Sequence, residues 1–146
     1  MTTLSYSLHI NTPRSAREVL QICFQTEDIA SIAGTDIQYT RGRVFLAHVR
    51  TTNLKTTEQF HAKFSVSPTV SILYFPDGVS SFQTALDELL DAALIWLRVQ
   101  SDDAVLVANN TQLVLKRVGS KITLAQGQPF WTPERLKRVD LPYLPS

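Results

Sequence analysis

Between residues 82 and 97 the sequence repeats apolar residues at spacings of three and four. Residues three and four apart are neighbours on the surface of an α-helix, so this run predicts a helix with one apolar face. Such a face has to be buried against another layer of the domain. The predicted long helix therefore organises the core, through the residues Phe82, Ala85, Leu86, Leu89, Leu90, Ala93, Leu94 and Leu97.

The N-terminal third of the chain contains three predicted strands. Residues 4–10 alternate apolar and polar side chains, the pattern of a strand with one buried face. Residues 36–40 and 44–51 are β-rich and flank Arg41 and Gly42. Two such runs around a short turn predict a β-hairpin.

More strands are predicted on either side of the long helix. An alternating pattern with apolar residues on even positions predicts β-structure between residues 60 and 74: Phe60, Ala62, Phe64, Val66, Val70, Ile72 and Tyr74. Because proline cannot donate a hydrogen bond to a sheet ladder, Pro68 marks an edge strand, a bulge or a break between two strands. After the helix, three β-rich runs are separated by two dipeptides that suit tight turns, Asn109-Asn110 and Gly119-Ser120. These runs predict strands at 104–108, 111–118 and 121–125.

Helix starts can also be identified. In a capping box, a serine and a Glu or Gln three residues later satisfy each other's free backbone amides. Ser15 with Glu18 predicts a first helix, and Ser80 with Gln83, after a turn at residues 76–78, predicts the start of the long one.

A short last helix is predicted to begin after Thr132. Thr132 suits the cap, Pro133 the first helical position, and Glu134 complements the positive end of the helix dipole. Trp131 and Leu136 stand at the positions of a hydrophobic staple.

The order of these elements predicts a single α+β domain over residues 1–146. It consists of a mainly antiparallel sheet, two main helices packed on it and a short C-terminal helix. The length suits one domain, which buries roughly 70% of the surface of its unfolded chain.

The sequence lacks the uninterrupted apolar run of about 18 residues that a membrane-spanning helix requires. The first residues do not resemble a secretory signal, so we expect a cytoplasmic protein without membrane association. The single cysteine, Cys23, falls on the apolar stripe of the first helix and is expected in the core.

Candidate catalytic and metal-binding residues are few. His9, His48 and His61 lie in separate segments, without the spacing of a metal-binding motif, and the predicted strands place His9 and His61 on polar faces. No nucleophile elbow and no glycine-rich phosphate loop is present. We therefore expect no catalysis and no cofactor, although a catalytic group assembled only by folding stays open.

Charge is distributed unevenly along the chain. Residues 1–63 carry seven bases and five acids (+2), residues 64–115 carry one base and six acids (−5), and residues 116–146 carry six bases and two acids (+4). The basic tail has no nucleic-acid recognition motif, so no direct nucleic-acid contact is expected.

The acidic segment has two interpretations. Its acids can simply be the solvated face of a helix, or they can form a negative surface that steers a basic protein partner. On the second interpretation, the candidate partner-binding residues are Asp87, Glu88, Asp91, Asp102 and Asp103.

A family resemblance rests mainly on the C-terminal part of the chain. The residues that carry it are DAVL at 103–106, LVL at 113–115, FWTPERL at 130–136 and LPY at 141–143, with PTVS at 68–71 upstream. In these segments the chain resembles the Sit-type immunity proteins of bacterial contact-dependent toxin systems.

This resemblance implies a non-catalytic cytoplasmic protein that binds and neutralises a specific cognate toxin. Two alternatives stay open: a secretion chaperone or adaptor-like protein-binding module, and a small hydrolase. A homo-oligomer is compatible with each of them. The closing motif itself is expected to fasten the last helix rather than to bind a partner.

Overall fold

The computed structural model describes residues 5–24, 30–33, 36–41, 45–76, 82–109 and 111–145. The helices are α1 (Ala16–Phe24), α2 (Leu54–Phe64), α3 (Phe82–Val99) and α4 (Pro133–Arg138). The strands are β1 (Tyr6–Ile10), β2 (Ala30–Ala33), β3 (Asp36–Arg41), β4 (Phe45–Thr51), β5 (Val70–Pro76), β6 (Ala104–Ala108), β7 (Gln112–Val118), β8 (Lys121–Leu124) and β9 (Leu144–Pro145).

These nine strands of the described residues form one sheet in the order β2-β3-β4-β5-β1-β6-β7-β8-β9. β1 lies at its centre, antiparallel to both neighbours, so that Tyr6 pairs with Tyr74 on β5 and with Ala108 on β6. β8 and β9 are parallel to each other. The prediction of an α+β domain with a mainly antiparallel sheet is confirmed.

The main core lies between the sheet and the helices α1 and α3. Alternate residues of the central strands face these helices, because side chains along a strand point to opposite faces in turn. Trp96 of α3 is completely buried there. The apolar stripe of α3 confirms the long predicted helix, with Leu86, Leu89, Leu90, Ala93, Leu94 and Leu97 all in this core.

The N-terminus of α1 has the predicted capping box. The backbone N–H of Glu18 donates to the hydroxyl of Ser15 over 3.2 Å, and the N–H of Ser15 donates to the Glu18 carboxylate over 3.2 Å. Cys23 is buried in the main core, as expected. The residues of the second predicted capping box and of the turn before it lie partly outside the described residues, at 77–81.

The prediction of strands on both sides of Pro68 is wrong for its first half. Residues 54–64 form α2, which packs on the opposite face of the sheet from α1 and α3. Phe60 and Phe64 of α2 form a second, smaller core with Val105 and Val107 of β6. The sheet is therefore covered by three main helices rather than the two predicted.

The error has a physical origin. Phe60 and Phe64 are four residues apart, which fits both the even positions of a strand and one face of a helix. Capping interactions at both ends of α2 favour the helix over the strand. The Asn53 side chain accepts the N–H of Thr56 over 2.8 Å, and Ser65 closes the helix in the left-handed conformation, with φ of 64°.

The predicted hairpins are confirmed. β3 pairs with β4, with Tyr39 opposite Ala47, and β6, β7 and β8 form the expected meander. Its two turns use the positive φ that their residues tolerate: 54° at Asn109 and 64° at Gly119. The strands β2 and β9 were not predicted.

The C-terminal segment closes the main core. Thr132 caps α4 by accepting the N–H of Arg135, and Pro133 starts the helix, as predicted. The indole N–H of buried Trp131 donates to the backbone carbonyl of Val114 over 2.9 Å. Leu136 packs against the same core. The expected fastening role of this motif agrees with these contacts.

In the part of the chain that the structure describes, no helix has the length and apolar character needed to cross a bilayer.

Candidate functional site

Two of the predicted partner-binding acids are already engaged by the protein's own C-terminal helix. Arg138 of α4 donates from one nitrogen to both carboxylate oxygens of Asp91, over 2.8 and 2.9 Å. These hydrogen bonds raise the pKa of the Arg138 guanidinium. A second nitrogen of Arg138 lies 3.7 Å from the carboxylate of Asp87.

Arg135 makes the more deeply buried contact with the same helix. Its side chain is 3% exposed, and its Nε donates to Asp87 Oδ1 over 3.0 Å. The guanidinium also donates to the backbone carbonyl of Phe130 over 2.9 Å and lies over the Phe130 ring, 5.2 Å from its centroid. Its Nη2 donates two further bonds, to the backbone carbonyl and the side-chain oxygen of Gln83. This arrangement satisfies a buried cation with several partners.

The other three predicted partner-binding acids are Glu88, which lies next to Asp87, and Asp102 and Asp103, which follow the C-terminal end of α3. Glu88 is half-buried on α3. The carboxylate of Asp103 accepts the N–H of Gly119 over 2.8 Å, and the backbone carbonyl of Asp102 accepts two bonds from Arg117, of 2.6 and 3.1 Å.

Arg117 joins this group to the end of α3 by donating to the carbonyl of Leu97 over 2.7 Å. Burial lowers the pKa of the Arg117 guanidinium, while the charges of Asp102 and Asp103 act to raise it. The acidic middle segment and the basic tail thus meet within the fold, and part of the predicted negative surface is neutralised internally.

The opposite face of the sheet contains a cleft that sequence reasoning missed. We call it the α2 cleft: a cavity of about 330 Å³ between α2 and the central strands. This volume lies near the lower end of the range typical for ligand sites. Its described lining residues come from β1, β5, α2 and the segment before α2: His9, Thr52, Asn53, Thr56, Gln59, Phe60, Lys63, Phe64, Ser71 and Leu73.

A row of hydrogen-bonded polar side chains forms the floor of the cleft. His9 is 3% exposed, and its two ring nitrogens lie 2.8 Å from the Ser7 hydroxyl and 2.7 Å from the Ser71 hydroxyl. The Ser71 hydroxyl lies 3.0 Å from that of Thr52. The His9 ring stacks against Phe60, with centroids 4.0 Å apart. His9 therefore lies on the polar face of β1, as predicted, and α2 covers that face and buries the ring.

The contact between Ser71 and His9 has the length of a nucleophile–base hydrogen bond. In a serine triad, the second ring nitrogen donates to a carboxylate that stabilises the imidazolium. Here that nitrogen lies against the Ser7 hydroxyl, which is uncharged. With these contacts the row forms a fixed polar floor of the cleft.

Of the other two histidines, the structure describes the side chain of His61 alone. His61 is exposed on α2, and its Nδ1 lies 2.8 Å from the Ser67 hydroxyl. His48 lies on β4, outside the described side chains. Among the described residues, no group of three or more His, Cys, Asp or Glu side chains could hold a metal ion.

Comparison with protein families supplies the decisive observation. The SitI3-like family model matches residues 4–135 of the 146. The chain belongs to the SitI3-like family. Curated proteins and solved structures give no match to this SitI3-like protein.

The match covers the elements that form the α2 cleft and the contact of Arg135 with α3. It extends from the start of β1, through the α2 cleft and α3, to Arg135 of α4. In the sequence of this SitI3-like protein, the polar residues on β1 were the one pattern that could have indicated the cleft. Recognising it required the register that places His9 opposite Ser71.

Proposed function

We propose that this SitI3-like protein is a non-catalytic immunity protein that binds a specific cognate bacterial toxin and neutralises it. Membership of the SitI3-like family carries the proposal, because the family name suggests an immunity protein and the match spans most of the chain. The fold agrees with a binding role. Its sheet is covered on both faces, and its C-terminal helix is fixed by several ion pairs.

We expect a stoichiometric mode of action. A binding protein abolishes toxin activity when the two are present at a one-to-one ratio, whereas an enzyme would inactivate many toxin molecules per copy.

The test uses the product of the gene next to this one, because immunity genes are expected beside their toxin genes. Co-expression should protect a sensitive bacterium from that product, and the two proteins should co-purify as a stable complex. Toxin activity titrated with purified protein should fall to zero at equimolar ratio. Protection at a small fraction of equimolar would instead indicate catalysis.

The same experiment separates the chaperone alternative. A secretion chaperone would raise the yield or export of its client without blocking the client's activity. Complex formation with an undiminished toxin activity would contradict the immunity function and favour the chaperone.

The acids Asp87, Glu88, Asp91, Asp102 and Asp103 remain a proposed contact surface for a basic toxin. Because some of them also bind α4, the substitutions that test this surface have to be chosen with care. Replacing Asp87, Glu88 and Asp91 together would also release α4, since Asp87 and Asp91 bind its arginines. A variant that keeps the buried Asp87–Arg135 contact and loses only the exposed pair with Arg138 replaces Asp91, whose side chain is 51% exposed, together with Asp102. If the acidic surface binds the toxin, Asp91→Asn with Asp102→Asn should slow association, most strongly at low salt. An unchanged association rate would contradict the acidic contact surface.

A further inference from the structure

The α2 cleft has the chemistry of an anion-binding site. None of its described lining residues is acidic, and Lys63 contributes a positive charge. Lys63 donates one bond, of 2.8 Å, to the carbonyl of Thr111, and an ammonium group has three donors. The cation therefore keeps donor capacity for a ligand.

Uncharged hydrogen-bond donors also line the cleft. Asn53 uses its side-chain oxygen to cap α2, which leaves its amide N–H groups to donate elsewhere. Thr56 and Gln59 contribute a hydroxyl and an amide on the same side of the helix as Lys63. These groups suit a ligand that accepts several hydrogen bonds at once.

The floor of the cleft is rigid, which favours specific binding. The hydroxyls and ring of the Ser7–His9–Ser71 row are held by one another and by the stacked Phe60 ring. A ligand entering here meets donors arranged before it binds, so it loses little affinity to their ordering.

We infer that the α2 cleft receives a carboxylate, carried by an acidic side chain of the cognate toxin. This inference rests on the proposed immunity function and names the part of the partner that the cleft binds. A toxin side chain fits better than a large cofactor, since the cavity of about 330 Å³ would hold only a small group. Charge complementarity selects Asp or Glu over other side chains, and burial of a paired charge would make this an anchor of the interface.

The cleft is first tested without the toxin. N-acetyl-glutamate methylamide is the probe, and N-acetyl-glutamine methylamide is its uncharged control. Both are titrated into the intact isotope-labelled protein and followed by amide NMR shifts. The acidic probe should shift the amide signals of Thr56, Gln59 and Lys63 with millimolar affinity, and the glutamine compound should bind at least about tenfold more weakly. Equal shifts from both compounds, or shifts from neither, would overturn the inference.

Two matched variants extend the test to the toxin. Lys63→Gln removes the positive charge from a lining residue of the cleft, and Lys55→Gln removes the same charge from another exposed position of α2, outside the lining. Lys63→Gln should weaken toxin binding about tenfold or more and reduce its salt dependence, while Lys55→Gln should change affinity less than about twofold. Circular dichroism and thermal melting verify that each variant is folded. Equal affinities of the two variants would overturn the inference.

A third variant fills the cleft without altering charge. Gln59→Trp places a large ring at an exposed lining position and should block both the acidic probe and the toxin. Failure of the inference and failure of the proposed function give different results. If the wild-type protein neutralises the toxin and all three variants do so equally well, the cleft assignment is wrong and the immunity function stands. If the wild-type protein neither binds nor neutralises the toxin, the immunity function is wrong, whatever the probe titration gives.

Discussion

Arg135 of α4 donates to the carboxylate of Asp87 on α3 over 3.0 Å, and the two residues are 48 positions apart in the chain. The arginine side chain is 3% exposed and the aspartate side chain 35%. The contact joins the acidic middle segment to the basic tail. It therefore gives Asp87 a structural role, which it keeps whichever surface of the protein binds a partner.

Removal of the buried arginine should destabilise the fold substantially. Arg135→Ala leaves the carbonyl of Phe130 without its donor and removes the partner of Asp87, so we expect a loss of about 3 kcal/mol in the free energy of unfolding. Asp87→Asn should cost about 1–2 kcal/mol, because the carboxylate is partly exposed. Asp91→Asn breaks an exposed pair and should cost less than about 1 kcal/mol. Urea unfolding of the three variants measures their losses in the free energy of unfolding. Equal losses would contradict the structural role of Arg135.

Trp131 and Trp96 offer a matched comparison of two buried indoles. Trp131 donates to Val114, whereas the Nε1 of Trp96 has no hydrogen-bond partner within the described structure. Trp131→Phe leaves the Val114 carbonyl unsatisfied, and Trp96→Phe removes an unsatisfied donor. Both open a cavity of similar size. We expect Trp131→Phe to be more destabilising by about 1 kcal/mol, measured by chemical denaturation. The opposite order would show that the Val114 contact contributes little.

Truncation of Trp131 should affect stability before it affects binding. Trp131→Ala removes a buried ring that meets Phe130 edge-on, with centroids 5.0 Å apart, and should cost about 3–5 kcal/mol. The expected result is a much lower melting temperature, with toxin binding retained at temperatures where the variant is folded. Normal melting with lost binding would reassign the residue to the interface.

Local patterns sufficed for the elements whose periodicity has a single interpretation. The stripe from Leu86 to Leu97 fits a helix alone, and the turns at Asn109 and Gly119 are encoded by residues that tolerate positive φ. α2 was missed because Phe60 and Phe64 satisfy both periods, and the Asn53 cap lies outside the segment that was interpreted as strand.

The candidate site depends on contacts that no local pattern contains. The acids of α3 were found by counting charges, but the Asp91–Arg138 pair joins residues 47 apart. The His9–Ser71 contact joins residues 62 apart and exists only through the register of β1 with β5. Both features needed the arrangement of strands and helices before they could be recognised.

Ser65 ends α2 in a conformation that glycine adopts at less cost. Its φ of 64° and ψ of 26° are left-handed, and its N–H donates to the carbonyl of His61 over 3.0 Å. Ser65→Gly should preserve this bond and stabilise the protein by about 0.5–1 kcal/mol. Ser101→Gly is the control, at an exposed position without positive φ, and should be slightly destabilising through the entropy of the unfolded chain. Equal effects of the two substitutions in thermal unfolding would contradict the strain at Ser65.

The capping box of α1 should make part of the stability depend on acidity. The hydrogen bonds from the backbone N–H and side chain of Ser15, with a smaller effect of Arg14, hold the pKa of the Glu18 carboxyl below its ordinary value. Because the folded pKa is the lower one, the carboxylate stabilises the fold above the unfolded pKa, and this contribution is lost as pH falls through the folded pKa. Glu18→Gln keeps an oxygen that can accept from Ser15 but cannot titrate. The wild type should melt at a higher temperature than Glu18→Gln at pH 7, and the difference should disappear on acidification below the folded pKa. A difference that stays constant from pH 7 to pH 3 would show that the charge of Glu18 does not contribute to the cap.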